Sequence, residues 1–191
     1  MLEDIFISKT RVKILVLFFT HLGERYHVRE ITRQVDEEIN AVRRELERLH
    51  KLGLLRSEKR GNRVYYNLQH ESVLFPELLR LVAKEVGLGR AMIKETKSLG
   101  KVKFIMLSGY LLTGRIATAN DVDLLIVGSV SQAKVSQIVK EAEKELGHEI
   151  NYTIFSEEEF GFRKKRFDSF ISSVLMQPRV MLFGSEEEFL R

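Results

Sequence analysis

Two aspartates one residue apart, Asp121 and Asp123 in the stretch DVDLLIV, have the type and spacing to do chemistry. In an extended strand, side chains at i and i+2 leave the same face, so this spacing brings two carboxylates together. Adjacent carboxylates repel, and a divalent cation relieves that repulsion. Magnesium accepts such oxygen ligands while keeping waters and substrate phosphates. A second constellation is cationic. NAVRRELERLHK carries Asn40, Ala41, Arg43 and Arg44 near its start and Arg48 and Lys51 further on, and Lys59, Arg60, Asn62 and Arg63 follow in a short turn. Arginine can donate two hydrogen bonds to guanine, asparagine can pair with adenine, and the later cations suit phosphates.

Composition limits what these groups can serve. At 191 residues the chain holds one large domain or two small ones. With 44% hydrophobic and 30% charged residues it has the balance of a globular protein. No apolar run approaches the roughly 20 residues that span a bilayer, and the start MLEDIFISKTR does not read as a secretory signal. Cysteine is absent, which excludes disulfides and thiolate metal sites, and the five histidines lack ligand spacing. The cytoplasm is therefore the expected location, with no membrane partner. The net charge of +4 is concentrated: residues 1–70 hold 14 Lys/Arg against 10 Asp/Glu, and the remainder balances at 17 against 17. A segment that binds a polyanion needs such an excess, although small domains also vary this much by chance.

The cations sit on a readable series of elements. Val12, Ile14, Leu15, Leu17, Phe18 and Leu22 recur at spacings of three and four and predict a helix over about 9–20, stopped by Gly23. A shorter helix over 27–34 and a third carrying Ile39, Val42, Leu46, Leu49 and Leu52 follow. Two strands, 54–59 and 63–68, then flank a turn at Arg60, Gly61 and Asn62. This order resembles a winged helix-turn-helix domain of the arsenic-repressor and multiple-antibiotic-repressor kind over about 8–68, with NAVRRELERLHKLGLL similar to the recognition helix running into the wing. Asp36 stands where that family often has glycine at the corner. The resemblance implies a recognition helix in the major groove of duplex DNA and a wing along its backbone. On the bland alternative, Arg43, Arg44 and Arg48 form helix-face ion pairs with Glu45 and Glu47, or the module docks proteins.

Residues 71–100 read as a helical connector, with Pro76, the run LLRLVAKEV, Gly87 and Gly89, and a second helical run to Ser98. Leu78, Leu79, Leu81 and Val82 give an apolar face that fits either a dimer interface or packing on the chain's own C-terminal domain. Two-fold DNA readers need two copies of the module, so a homodimer is the expectation.

From Lys101 strand and helix alternate: strands over 102–108, 121–127 and 148–155, a helix over 132–146, another over 162–176 broken by Pro178, and a last strand over 179–183. LSGYLLTGRIATANDVDLLIVG resembles the signature of the nucleotidyltransferase superfamily that includes polymerase beta and the minimal nucleotidyltransferases. Gly109 and Gly114 match its two glycines, and Asp121 and Asp123 its aspartates. The resemblance implies backbone N–H groups cradling a nucleoside triphosphate at Gly109, Tyr110 and Gly114, with Mg2+ on the aspartates. Two positions depart from the pattern. Tyr110 replaces the family's serine, and Asn151 stands where the third carboxylate is expected; Glu149, two residues earlier, is the other candidate for that role. The basic run Arg163–Arg166 is expected to be a solvated helix face.

The expected fold class is α+β in two domains: a winged helix-turn-helix over 1–70, a helical connector over 71–100, and an α/β nucleotidyltransferase-like domain with a mixed sheet over 101–191. The expected function is a DNA-binding transcriptional regulator whose nucleotidyltransferase-like domain is degenerate and serves ligand sensing or oligomerisation. The alternatives are an active magnesium-dependent nucleotidyltransferase acting on a protein, RNA or small molecule, and a protein-protein adaptor.

Overall fold

The computed structural model describes residues 2–113 and 121–191. Among them the architecture is mixed α+β, with two sheets and eleven helices. The chain divides into two compact units, Met1–Glu85 and Val86–Arg191, so the segment expected as a separate connector is shared between them.

The first unit begins with α1 (Leu2–Ile5) and α2 (Lys9–Thr20). The Ser8 hydroxyl accepts the Arg11 N–H at 3.2 Å and starts α2. Six apolar side chains of α2, from Val12 to Phe19, are buried, which makes it the central helix. A short β1 (Arg25–His27) leads into α3 (Val28–Val35), where His27 and Glu30 satisfy each other's backbone N–H groups in a capping box. Asp36 then turns the chain with φ 50° and ψ 61°, the left-handed geometry that explains why glycine suits this corner. Helix α4 (Ile39–Lys51) buries Val42, Leu46 and Leu49 at helical spacing. The hairpin β2 (Leu55–Arg60) and β3 (Arg63–Leu68) follows, closed by the pair Arg60 and Arg63, and then α5 (Phe75–Glu85).

The hairpin is the larger part of a three-stranded antiparallel sheet, order β1-β3-β2. Strand β1, aligned so that Tyr26 faces Tyr66, has no forerunner in the sequence reading. Three residues are too few to display a period of two.

The second unit comprises α6 (Gly87–Leu99), β4 (Gly100–Ser108), α7 (Gly109–Leu112), β5 (Leu124–Val130), α8 (Gln132–Leu146), β6 (Tyr152–Phe155), α9 (Glu157–Lys165), α10 (Ser169–Met176), β7 (Arg179–Phe183) and α11 (Glu186–Leu190). The sheet is mixed, in order β6-β5-β4-β7. Strand β4 runs antiparallel to both neighbours, while β5 and β6 are parallel through the α8 crossover. Both faces are covered, so the central strands are continuously apolar. Ile105, Leu107, Leu124 and Ile126 pack with Met92, Val135 and Val139 on one face. Phe104, Met106, Leu125 and Val127 pack with Phe160, Ile171, Val174 and Phe189 on the other.

Three boundaries differ from the sequence reading. Strand β5 starts at Leu124, beyond both aspartates, and β6 starts at Tyr152, beyond Glu149 and Asn151. The helix expected over 162–176 is two helices. Phe167 adopts φ 52°, which no continuous helix allows, and the Asp168 carboxylate accepts the Ile171 N–H at 3.1 Å to start α10 afresh.

Candidate nucleic-acid interface and acidic site

The cationic surface is built on α4 and the β2–β3 hairpin. Glu38 fixes the start of α4, accepting the N–H groups of Asn40 at 2.8 Å and Ala41 at 3.0 Å. These bonds, the Asn40 N–H first, hold its carboxyl below the usual range. With Val42, Leu46 and Leu49 turned inward, Asn40, Arg43, Arg44, Arg48 and Lys51 are exposed and Ala41 is half-buried. Lys59, Arg60, Asn62 and Arg63 are exposed at the hairpin end.

Helix and hairpin meet around one groove of about 390 Å³, lined by His27, Val28, Arg29, Arg43, Asn62, Arg63 and Val64. Three guanidinium-bearing residues thus converge from α3, α4 and the hairpin. None of Arg29, Arg43 and Arg63 makes an ion pair among the described residues. Arg29 was missed by the sequence reading. Its signal was a lone cation at the start of the short second helix, without meaning until that helix end was placed beside the hairpin.

Other cations of the expected set are committed internally. Arg48 Nη1 lies 2.9 Å from Glu45, whose other oxygen receives Arg11 Nε at 2.7 Å. The expected ion pairing on this helix therefore applies to Arg48, while Arg43 and Arg44 remain without such a pair among the described residues. Glu45 itself is buried, at 5% exposure, rather than on a solvated face. Arg60 turns back to Glu58 through two bonds, at 2.9 and 3.1 Å.

The acidic site is assembled at the ends of β4, β5 and β6. Asp123 is 2% exposed, and Asp121 is half-buried. The Asp123 Oδ2 accepts the Asn151 N–H at 2.9 Å, and the Asp123 N–H returns a bond to the Asn151 carbonyl at 2.8 Å. Burial pushes the Asp123 carboxyl up, against the lowering effect of the Asn151 bond and of His148; the Asp121 charge raises it further. Since both aspartates precede β5, the strand geometry invoked for their common face does not apply to them.

The glycine end of this site has a structural occupation. The Gly109 N–H, expected to face a phosphate, donates to the Pro178 carbonyl at 2.6 Å. A Cβ on Gly109 would stand 2.7 Å from Pro178 Cβ, so glycine is required by close packing on the start of β7. Ser108, fully buried, accepts the Tyr110 N–H at 3.1 Å through its hydroxyl. Gly114 lies outside the described residues.

Magnesium is the ion implied by the resemblance, and the residues present do not fit it. Among the described residues no group of three His, Asp or Glu side chains could hold a metal ion. The segment 114–120, GRIATAN, contains none of those types. Glu149 and Asn151 are exposed and lie before β6, and Asn151 contributes its backbone to Asp123. One Asp123 oxygen is engaged by the Asn151 N–H. Among the described residues no helix is long and apolar enough to cross a membrane.

No family model matches this chain, and no curated protein matches it. Among solved structures, reduced HlyU from Vibrio cholerae superposes with a TM-score of 0.35 and 20% identity, covering 44% of this chain and 83% of that one. Human N-acetylserotonin methyltransferase in complex with SAM superposes with a TM-score of 0.31 and 13% identity, covering 62% of this chain and 36% of its own length. At scores this low, neither likeness decides the fold or the activity of this chain.

Proposed function

We propose that residues 1–70 form a winged helix-turn-helix module that binds duplex DNA, and that the chain is a transcriptional regulator acting as a homodimer. The observation that carries this reading is the groove shared by Arg29, Arg43 and Arg63. An exposed groove lined by three arginines without carboxylate partners among the described residues suits the phosphates of a nucleic-acid backbone. Helix α4 exposes Asn40, Arg43 and Arg44 in the same stretch, side chains able to read base edges in a major groove. A protein-docking module would have no comparable need for unpaired arginines on both helix and hairpin.

The second unit is read as nucleotidyltransferase-like and without transfer activity, serving ligand sensing or oligomerisation. The lack of transfer activity is supported by the engaged and buried Asp123, by the absence of a third acid grouped with the aspartates among the described residues, and by the use of the Gly109 N–H by Pro178. Fluorescence anisotropy with genomic duplex fragments across a salt series tests the DNA reading. Log affinity is expected to fall linearly with log salt, and Arg43→Ala or Arg63→Ala is expected to reduce the slope by about 1 each if each guanidinium meets one phosphate. Affinity indifferent to salt and to both substitutions would remove the proposal. Label transfer from a nucleoside triphosphate in magnesium, abolished by Asp121→Ala/Asp123→Ala, would restore the enzymatic alternative.

A further inference from the structure

The second unit contains a cavity of about 710 Å³ that shares no lining residue with the acidic site. It lies on the β4–β5 face covered by α9, α10 and α11, with an apolar floor of Phe104, Val127, Phe160 and Ile171, all of them buried. Its size falls within the range of small-molecule sites.

Three features indicate what it would take. Lys164, on the wall, is partly buried and makes no ion pair among the described residues; its Nζ donates to the Phe189 carbonyl and lies 5.6 Å from the Phe160 ring centroid. Burial holds this ammonium below the ordinary lysine range. Of the other charges on the wall, Lys103 pairs with Glu157 at 3.0 Å and Arg191 with Glu187 at 2.7 Å, leaving Lys164 and Lys165 against Glu188, so the cavity has a small positive excess. Second, Gly161 lies in the middle of the continuous helix α9, where a Cβ would meet nothing within 4 Å. Glycine weakens a helix interior, and here no crowding requires it; its effect is to leave the cavity open. Third, Phe167 is 87% exposed at the cavity in a left-handed conformation that bulky residues rarely adopt. An aromatic ring held in water beside an apolar floor gains by covering an apolar ligand.

We infer that this cavity binds a small organic carboxylate with an apolar, aromatic-sized body, the carboxylate paired with Lys164 and the body packed against Leu175, Leu190 and Phe167. The inference does not depend on DNA binding.

Calorimetric titration of the full chain with 2-naphthoate, and with its uncharged primary amide, tests it. The expected result is one naphthoate per chain, bound at least tenfold more tightly than the amide. Lys164→Met should erase that difference, whereas Gly161→Leu should weaken both compounds at least tenfold while raising the melting temperature, which separates blockage from unfolding. No naphthoate binding at millimolar concentration, equal affinity for the amide, or binding untouched by both substitutions would overturn the assignment. A dimer that Gly161→Leu dissociates and naphthoate leaves intact would assign the cavity to a second copy of the chain and overturn it as well.

Discussion

Replacing Glu45 by glutamine probes how α4 is held. The carboxylate side chain is 7% exposed and bridges Arg11 of α2, itself 27% exposed, and Arg48, 60% exposed. A charge-assisted hydrogen bond contributes about 1.5–3 kcal/mol when its partners are sheltered, and an exposed pair about 0–1 kcal/mol. Arg11 is the sheltered partner and Arg48 the exposed one, so Glu45→Gln should cost about 2 kcal/mol, nearly all of it through Arg11. In a unit of 85 residues, that corresponds to a fall in Tm of about 10 °C.

Scanning calorimetry of Glu45→Gln, Arg11→Met and the double variant at neutral pH measures this directly. The double variant should recover most of one single cost, with a coupling energy of about 2 kcal/mol. The pH dependence provides a second reading. Burial pushes the Glu45 carboxyl up, but the hydrogen bonds from Arg11 and Ser8 and the charges of Arg11 and Arg48 outweigh it and leave it lowered. Its stabilisation is therefore complete above the ordinary glutamate pKa and is lost as pH falls through the lower native value; the variant should lack that loss. A Tm change below about 3 °C with no coupling would refute the reasoning, since Arg11 and Glu45 would then be no better placed than a solvated pair.

Three further outcomes follow from the geometry. Asp36→Gly should raise stability slightly, by about 0.5 kcal/mol, and Asp36→Val should lower it by about 1–2 kcal/mol, because only the first fits the left-handed turn; urea unfolding midpoints decide it, and a destabilised glycine variant would contradict the assigned φ. Asp123 has a raised pKa, so the native state holds its proton more tightly than the unfolded chain and stability is lost as pH rises through the native value. Asp123→Asn should therefore gain Tm relative to the parent as pH rises from about 4, and a pH-independent difference would count against burial as the cause. Gly109→Ala should cost about 1–3 kcal/mol through collision with Pro178, whether or not a nucleotide is present; a neutral melting temperature would free that glycine for a ligand role.

Where apolar side chains repeat along a segment, the element is legible from the chain alone. Helices α2, α4 and α8 were expected over the residues they occupy because Val12 to Phe18, Val42 to Leu49 and Val135 to Ala142 recur at the helical period and are buried. The β2–β3 hairpin and β7 were legible for the corresponding reason. Short or strained pieces were not: β1 is three residues long, and the break between α9 and α10 depends on the backbone of one phenylalanine.

Residue types and spacings alone determined the cationic helix and turn, the aspartate pair and the division into two compositions. Partnership was decided in three dimensions. Folding brought Arg29 beside Arg43 and Arg63 across more than thirty positions of chain, buried Glu45 between two arginines, and set the Asn151 N–H against Asp123. The physical reason is that periodicity reports which way a side chain faces relative to its own element, whereas charge state, hydrogen bonding and access depend on what other elements bring within a few ångströms.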